Sequence, residues 1–248
     1  MKISIIIPVY NEKRTLPELL ARVQNAPMPE GCYSEIIVVD DCSLDGTTAL
    51  LDEYSAEIFI HRNKRNCGKG AAICAGLAVA TGDIVLVQDG DLEYDPKDYR
   101  AVLTPIVAGT ADVVYGSRFL GICHGMKWRN WLANKILTAA ANLLYHANLS
   151  DQGTAYKAFR TDILRSLNLK SKRFEFCSEV TAKVRKLGYK IHEVPIKYSA
   201  RTLLEGKKIR ASDGFQAMWT LLKFRFTSPS RISIASGVSQ SKAVPLES

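Results

Sequence analysis

Ile84 to Val87 is a four-residue apolar run bounded by Thr81-Gly82 on one side and Gln88-Asp89-Gly90-Asp91-Leu92-Glu93 on the other. A run so short, rich in β-branched residues and flanked by turn signals, reads as a strand buried on both faces of a parallel sheet. Parallel strands need long crossovers, usually helices, so this reading constrains the whole architecture. Side chains alternate along a strand, which points Asp89 and Asp91 to the same side just past its carboxyl end. Gly90 between them lets a ligand come close to the backbone. Two carboxylates in such a place suit a hard divalent cation, Mg²⁺ or Mn²⁺, that keeps positions free for phosphate oxygens. The plainer alternative is a solvated Asp-Gly-Asp turn.

The preceding segments have the same character. Ile3 to Val9 is a second buried strand, with Pro8 expected to end its ladder. Leu16, Leu19, Leu20 and Val23 follow at helical spacing. Glu35 to Val39 makes a strand that ends in Asp40-Asp41, and the turn Cys42 to Thr47 caps a helix reaching about Tyr54. Ile58 to His61 is a short strand, and Asn66-Cys67-Gly68-Lys69-Gly70 leads into an alanine-rich helix ending near Ala80. Strands alternating with helices predict an α/β fold, a Rossmann-like, doubly wound, mostly parallel sheet with helices on both faces. Ligands bind such sheets outside the carboxyl ends of the strands, where Pro8 to Tyr10, Asp40-Asp41 and Asp89 to Asp91 fall. Gly68-Lys69-Gly70 lacks P-loop spacing and reads as a loop. Asp41 is expected to be structural, and the four histidines show no ligand spacing.

The 248 residues, 47% hydrophobic, suffice for one large domain with a small appendage. A formal charge of +8 points to an anionic partner: a nucleotide diphosphate, nucleic acid or an acidic membrane surface. Six scattered cysteines without a Cys-x-x-Cys pair fit reduced thiols and a cytoplasmic setting. The amino terminus reads as a strand opening rather than a signal peptide. The longest uncharged run, Ile136 to Ser150, contains Asn and His and is too short for a bilayer span.

The second half is less regular. Asp112 to Tyr115 is a strand delivering Gly116-Ser117-Arg118. Trp128, Trp131, Leu132, Lys135, Ile136, Ala139, Ala140, Leu143 and Leu144 trace one helical stripe, ordinarily a core face, with burial in a membrane interface as the alternative. Ser178 to Lys186 is a helix and Ile191 to Tyr198 a strand. Arg201, Lys207, Lys208 and Arg210 form a basic stretch. Ser212 can then cap an amphipathic helix over 211–227, with Phe215, Met218, Trp219, Leu222 and Phe226 on one face and Lys223 and Arg225 nearby, suited to an anionic membrane surface. The small, polar segment 228–248 is expected to be disordered.

Pro8-Val9-Tyr10-Asn11-Glu12, Val39 to Thr47, Asn66 to Gly70 and Asp89-Gly90-Asp91, in this order and spacing, resemble the family 2 glycosyltransferases of the GT-A fold. Gly116-Ser117-Arg118-Phe119 and Glu193-Val194-Pro195-Ile196 are similar to the polyprenyl-phosphate branch of that family, typified by dolichol-phosphate mannose synthase. The resemblance covers roughly residues 1 to 226, with 1–210 as the catalytic domain. It implies that Pro8, Tyr10, Glu12, Val38 and Asp40 line a nucleoside slot, with Glu12 and Asp40 accepting hydroxyls. It makes Asp89 and Asp91 the metal ligands, with Glu93, where relatives often carry Gln, adding a ligand or a water contact. Gly90, Arg118, Arg201 and Lys207 complete the substrate site, the three cations suited to phosphates, and Asp91 and Arg118 stand as the catalytic pair. Asp151 to Arg160 only partly matches the relatives' Asp-x-Thr-Ser-Gly-Phe segment.

The nucleophile separates the enzymatic readings. A sugar hydroxyl needs a general base, and the sequence offers none; the Gln-x-x-Arg-Trp signature of processive synthases is also missing. A lipid phosphate, with its second pKa near ~6, is nucleophilic unaided at neutral pH. The resemblance therefore implies an inverting transfer of mannose or glucose from a donor such as GDP-mannose to a dolichyl or undecaprenyl phosphate. Its setting would be the cytoplasmic membrane surface, peripherally bound, with a membrane-protein partner left open and no nucleic acid. Transfer to a saccharide or lipid hydroxyl, and a non-catalytic nucleotide-sugar-binding role, are the competing readings.

Overall fold

The computed structural model of the chain describes residues 1–201 and 211–228. Four apolar runs become parallel neighbours: β1 (Lys2–Val9), β2 (Tyr33–Asp40), β3 (Phe59–Arg62) and β4 (Ile84–Val87). They are joined by α1 (Leu16–Gln24), α2 (Thr47–Asp52) and α3 (Lys69–Val79). Next come α4 (Tyr99–Val107), β5 (Val113–His124), α5 (Trp128–Tyr145), β6 (Lys157–Arg160), α6 (Thr161–Ser166), α7 (Phe176–Lys186), β7 (Ile191–Ser199) and α8 (Ala211–Arg225). The seven strands form one sheet in the order β3-β2-β1-β4-β6-β5-β7, with β6 antiparallel to β4 and β5, and β7 parallel to β5.

Alternation along β1 explains the layering. Ile3, Ile5 and Ile7 face one side with Leu16, Leu19 and Leu20 of α1 and Val102 and Leu103 of α4. Ile6 faces the other, joining Ala72 and Ile73 of α3, Val180 of α7, and Leu221 and Phe224 of α8. Both faces of the sheet are thus covered by helices, as a near-continuous apolar strand requires.

Three expectations need correction. Pro8 does not end its ladder: pairing with β4 stops at Ile6 and Val87, but Pro8 still sits opposite Val39 and Val9 opposite Asp40. Proline is tolerated there because only one neighbouring strand remains. The strand β6 was not expected; its four residues lack an alternating pattern, and its register against Ile84 to Val87 is long-range. On α5, Thr138, Ala141 and Tyr145 are buried, whereas Trp128, Trp131, Leu132, Ile136 and Leu143 of the expected core stripe are exposed. Lys207, Lys208, Arg210 and the proposed tail from 229 lie outside the described residues.

Candidate active site

The carboxyl ends of β1, β2 and β4 open on one cleft. Of the residues singled out from the sequence, Pro8, Tyr10, Glu12, Asp89, Gly90, Asp91, Glu93 and Arg201 line it. Two loops are stitched together to shape its floor. Asn11 takes a left-handed backbone (φ 53°), donates its N–H to Ser43 Oγ at 2.9 Å and accepts from the Leu44 N–H at 2.7 Å. Glu12 N donates to Thr47 Oγ1 at 3.0 Å, and Lys13 N to Asp45 at 3.1 Å. The Tyr-Asn-Glu and Cys-Ser-Leu-Asp-Gly-Thr segments are therefore halves of one structure.

Val38 and Asp40 are not brought into this cleft. Val38 is buried in the core, and the buried Asp40 carboxylate is used within its own turn, accepting from Ser43 N at 3.0 Å and Thr48 Oγ1 at 2.6 Å. The next residue reaches the wall instead. Asp41 lines the cleft while accepting from Asn63 Nδ2 (2.7 Å), Cys67 N (2.9 Å) and Gly68 N (2.6 Å), which gives it the structural role expected of it. Gly90 is needed for a reason besides ligand access: a Cβ there would lie 2.8 Å from the Pro8 carbonyl oxygen.

Asp89 and Asp91 both face the cleft, and each carries a cation. Lys69 Nζ bonds Asp89, and Arg201 Nη2 lies 2.5 Å from Asp91 Oδ2. The Arg201 guanidinium also contacts both Glu12 oxygens, at 3.2 and 3.1 Å. Burial, then the charge of Asp89, push the Asp91 carboxyl well above the usual carboxylate range, while Arg201 pulls it back. Burial opposes the charge on Lys69, but the charge and hydrogen bond of Asp89, helped by Cys177 and Asp91, together raise the ammonium above its ordinary pKa. Glu93 is turned to another task, accepting from Tyr198 Oη and Arg201 N, both at 2.8 Å. Among the described residues no three His, Cys, Asp or Glu side chains form a ready metal cage, so the expected trio of Asp89, Asp91 and Glu93 is not assembled. Asp89 and Asp91 remain a pair of hard oxygen donors whose mutual repulsion a divalent ion would relieve.

Arg118 also departs from its expected role. Its guanidinium forks onto Asp151, with Nε and Nη2 each 2.7 Å from a carboxylate oxygen, and Nη2 reaches Asn134 Oδ1 at 3.0 Å. It fills a buried bridge and lines a second hollow with Phe119, Trp128 and Trp131 rather than the acidic cleft. The segment held by Asp151 is clamped from below. Glu193 accepts from Ser150 N (2.7 Å) and Asp151 N (3.0 Å), and Lys157 Nζ donates to Gln152 O (3.0 Å) and Thr154 O (2.7 Å). The Gly-Ser-Arg-Phe and Glu-Val-Pro-Ile motifs thus grip the partly matching 151–156 loop. Sequence reasoning gave Lys69, Glu193 and Lys157 no role. For Lys69 the flanking glycines were a usable signal; for Lys157 the local sequence carries none.

This acidic, cation-lined cleft at the carboxyl edge of a doubly wound sheet is the arrangement of a nucleotide-sugar transferase of the GT-A fold. Residues 4–167 match the family model Glycosyl transferase family 2, and the chain belongs to that family. It is 35% identical to the undecaprenyl-phosphate mannosyltransferase of Micrococcus luteus, covering 84% of this chain and 87% of that protein. Identity to the polyprenol monophosphomannose synthase of Mycolicibacterium smegmatis is 32%, over 87% and 85% of the two chains. The dolichol-phosphate mannosyltransferase of Pyrococcus furiosus is 30% identical, over 84% of this chain but 59% of that longer protein. Among solved structures, glucosyl-3-phosphoglycerate synthase of Mycobacterium tuberculosis, with Mn²⁺, UDP and glucosyl-3-phosphoglycerate, superposes with a TM-score of 0.70. Identity to it is 21%, over 90% of this chain and 79% of that one, a likeness of fold. The protein is a glycosyltransferase.

Proposed function

We propose that the chain transfers mannose from a nucleoside diphosphate sugar to a polyprenyl phosphate, with inversion at the sugar carbon and with a divalent ion. The observation that carries this reading is the pairing of Asp89 and Asp91 beside Glu12 in one cleft. The three relatives named for phosphomannose or mannosyl transfer to polyprenols support the sugar and the acceptor class. UDP and Mn²⁺ or Mg²⁺ in the fold neighbours support a nucleotide and a metal.

In this reading Pro8, Tyr10 and Glu12 seat the nucleoside, with the Glu12 carboxylate accepting from sugar hydroxyls. Asp89 and Asp91 would hold Mg²⁺ or Mn²⁺, which supplies charge stabilisation to the leaving diphosphate. Lys69 and Arg201 stand close enough to neutralise phosphate oxygens by charge-assisted hydrogen bonds. Lys207 is proposed to add to them. The acceptor phosphate attacks the anomeric carbon from the face opposite the diphosphate: one C–O bond forms as the other breaks. An anionic phosphate needs orientation rather than a base, and that is what a cation-lined cleft provides. Arg118 then acts by holding Asp151 and the loop behind it.

Peripheral binding at an anionic membrane surface belongs to the same proposal. Among the described residues no helix is long and apolar enough to cross a membrane, yet the proposed acceptor is a lipid. The deciding experiment offers GDP- and UDP-linked labelled sugars with polyprenyl phosphate and the matching polyprenol in one detergent. Chloroform-extractable label with GDP-mannose and the phosphate alone is the expected result. Equal labelling of the alcohol would sink the lipid-phosphate mechanism.

A further inference from the structure

We infer that Lys69 and Arg201 are resident counter-ions of the acidic cleft, exchanged charge for charge against one divalent ion. The inference rests on the reading of Asp89 and Asp91 as the metal-holding pair and adds what occupies them beforehand. Each carboxylate has its own cation, Lys69 on Asp89 and Arg201 on Asp91. Asp91 is buried and the half-buried Asp89 lies beside it in the same cleft; two neighbouring carboxylates shielded from water repel each other, so the pair needs two positive charges. One divalent ion supplies the same two. The exchange leaves the net charge of the pair unchanged, while both cations stay in the cleft, displaced from their carboxylates.

The placement of both groups is built, not incidental. Lys69 opens α3 between two glycines that must stay small. A Cβ on Gly68 would lie 2.5 Å from the Lys172 carbonyl oxygen, and one on Gly70 the same 2.5 Å from that of Ser171. Ala71 N donates to Lys172 O at 3.1 Å, and Asp41 holds the N–H groups of Cys67 and Gly68. The backbone around Lys69 is therefore fixed from both sides, which gives the Gly-Lys-Gly motif its purpose. Arg201 is anchored differently. Its main-chain N–H is held by Glu93 at 2.8 Å, leaving the guanidinium to bridge Glu12 and Asp91. That bridge joins the proposed nucleoside and metal ends of the cleft. Arg201 must leave both before a donor and its metal can settle. Metal arrival thus frees two cations where a diphosphate has to be neutralised, so the ion and the phosphate charges are delivered together.

The test is Mn²⁺ binding alone, followed by electron paramagnetic resonance of the free ion, with no donor present. Competition predicts that Arg201→Gln and Lys69→Gln each bind Mn²⁺ about tenfold tighter than the parent, the scale of one charge-assisted contact. Both should nonetheless transfer sugar more slowly at saturating Mn²⁺, because the freed charge is missing. Arg173→Gln controls for the general field, since Arg173 lines the same cleft but pairs with Asp213 at 3.4 Å; its Mn²⁺ affinity should stay within about twofold of the parent. Equal or weaker Mn²⁺ binding in the Arg201 and Lys69 variants overturns the exchange while leaving the metal reading intact. An equal gain in Arg173→Gln also overturns it, in favour of a diffuse field. Absence of Mn²⁺ binding in every form overturns the metal reading and this inference with it.

Discussion

Asp91 and Arg118 are both buried and charged, but their surroundings assign them different work. Asp91 sits against a second carboxylate and is neutralised from the cleft side by Arg201. Its removal relieves repulsion as much as it loses a contact, so the fold should tolerate it. Asp91→Ala is expected to abolish transfer while moving the thermal midpoint by only a few degrees (~2 °C corresponds to roughly 1 kcal/mol in a chain of this size). Asp91→Asn, which keeps a coordinating oxygen, should retain a fraction of the activity. Full turnover of Asp91→Ala, or full turnover of the parent in excess EDTA, would refute the metal assignment. Arg118 is the reverse case. Cutting it to Ala strands the fully buried Asp151 carboxylate, a loss of about 3–5 kcal/mol for a broken buried pair. Urea unfolding of Arg118→Ala should show that loss. Unchanged stability with lost activity would instead restore Arg118 to direct phosphate contact.

Among the elements, β6 carries the least legible and most consequential residue. Lys157 is fully buried, with its Nζ on two loop carbonyls and 3.7 Å from the Tyr115 ring centroid. Burial pulls its pKa down to about 8, against roughly 10.4 in an unfolded chain. Between these values the unfolded chain binds more protons, so the Lys157 contribution to stability rises with pH and is least favourable below pH 8. From pH 7.5 to 9.5 that rise is about 2 kcal/mol. Buried tyrosines with raised pKa, Tyr94 and Tyr115 among them, oppose it at higher pH, so the measurement is a difference. Urea stability of the parent minus that of Lys157→Met should climb by about this amount across the window; a flat difference would show that burial does not depress the Lys157 pKa and that the ammonium stays as protonated in the fold as in the unfolded chain. β1, β2 and β4 were readable because each is a β-branched run ending in a turn that lines the cleft. Lys-Ala-Phe-Arg has no such mark, and its place between β4 and β5 depends on pairing across some seventy residues, from Val85 to Phe159. The acidic pair, Tyr10, Glu12 and Arg201 were legible as local motifs. That Asp40 turns inward, that Glu93 serves Tyr198, and that Arg118 is spent on Asp151 are tertiary facts no local pattern encodes.

At the scale of the molecule, periodicity told which residues of α5 share a face but not what that face meets. Helices α5 and α8 pack together, Tyr145 Oη donating to the Leu221 carbonyl, and Lys186 caps the end of α8 through Phe224 O (3.0 Å) and Arg225 O (2.9 Å). Their inner residues join the core, so the outer ones are left to solvent: Trp131 is 47% exposed, Leu143 79%, Trp219 66% and Phe226 87%. Basic groups are interleaved with these aromatics. Lys135 Nζ lies 4.1 Å from the Phe119 ring centroid and 5.9 Å from that of Trp131, and Lys223 and Arg225 close α8. Aromatic and basic side chains alternating on a helix pair suit the headgroup layer of an anionic bilayer. Sedimentation with vesicles should therefore rise with anionic lipid and fall with salt, each basic residue near the surface contributing about 1 kcal/mol. The variant that isolates the face is Trp131→Ala with Trp219→Ala, both exposed, so stability should change by no more than about 0.5 kcal/mol each. Vesicle binding of the double variant should drop at least tenfold, since each indole withdrawn from the interface forfeits about 25 cal/mol per Å² of apolar area. Transfer to a short, water-soluble polyprenyl phosphate should survive, because neither indole touches the acidic cleft. Undiminished sedimentation of that variant with anionic vesicles would rule out this face as the membrane contact.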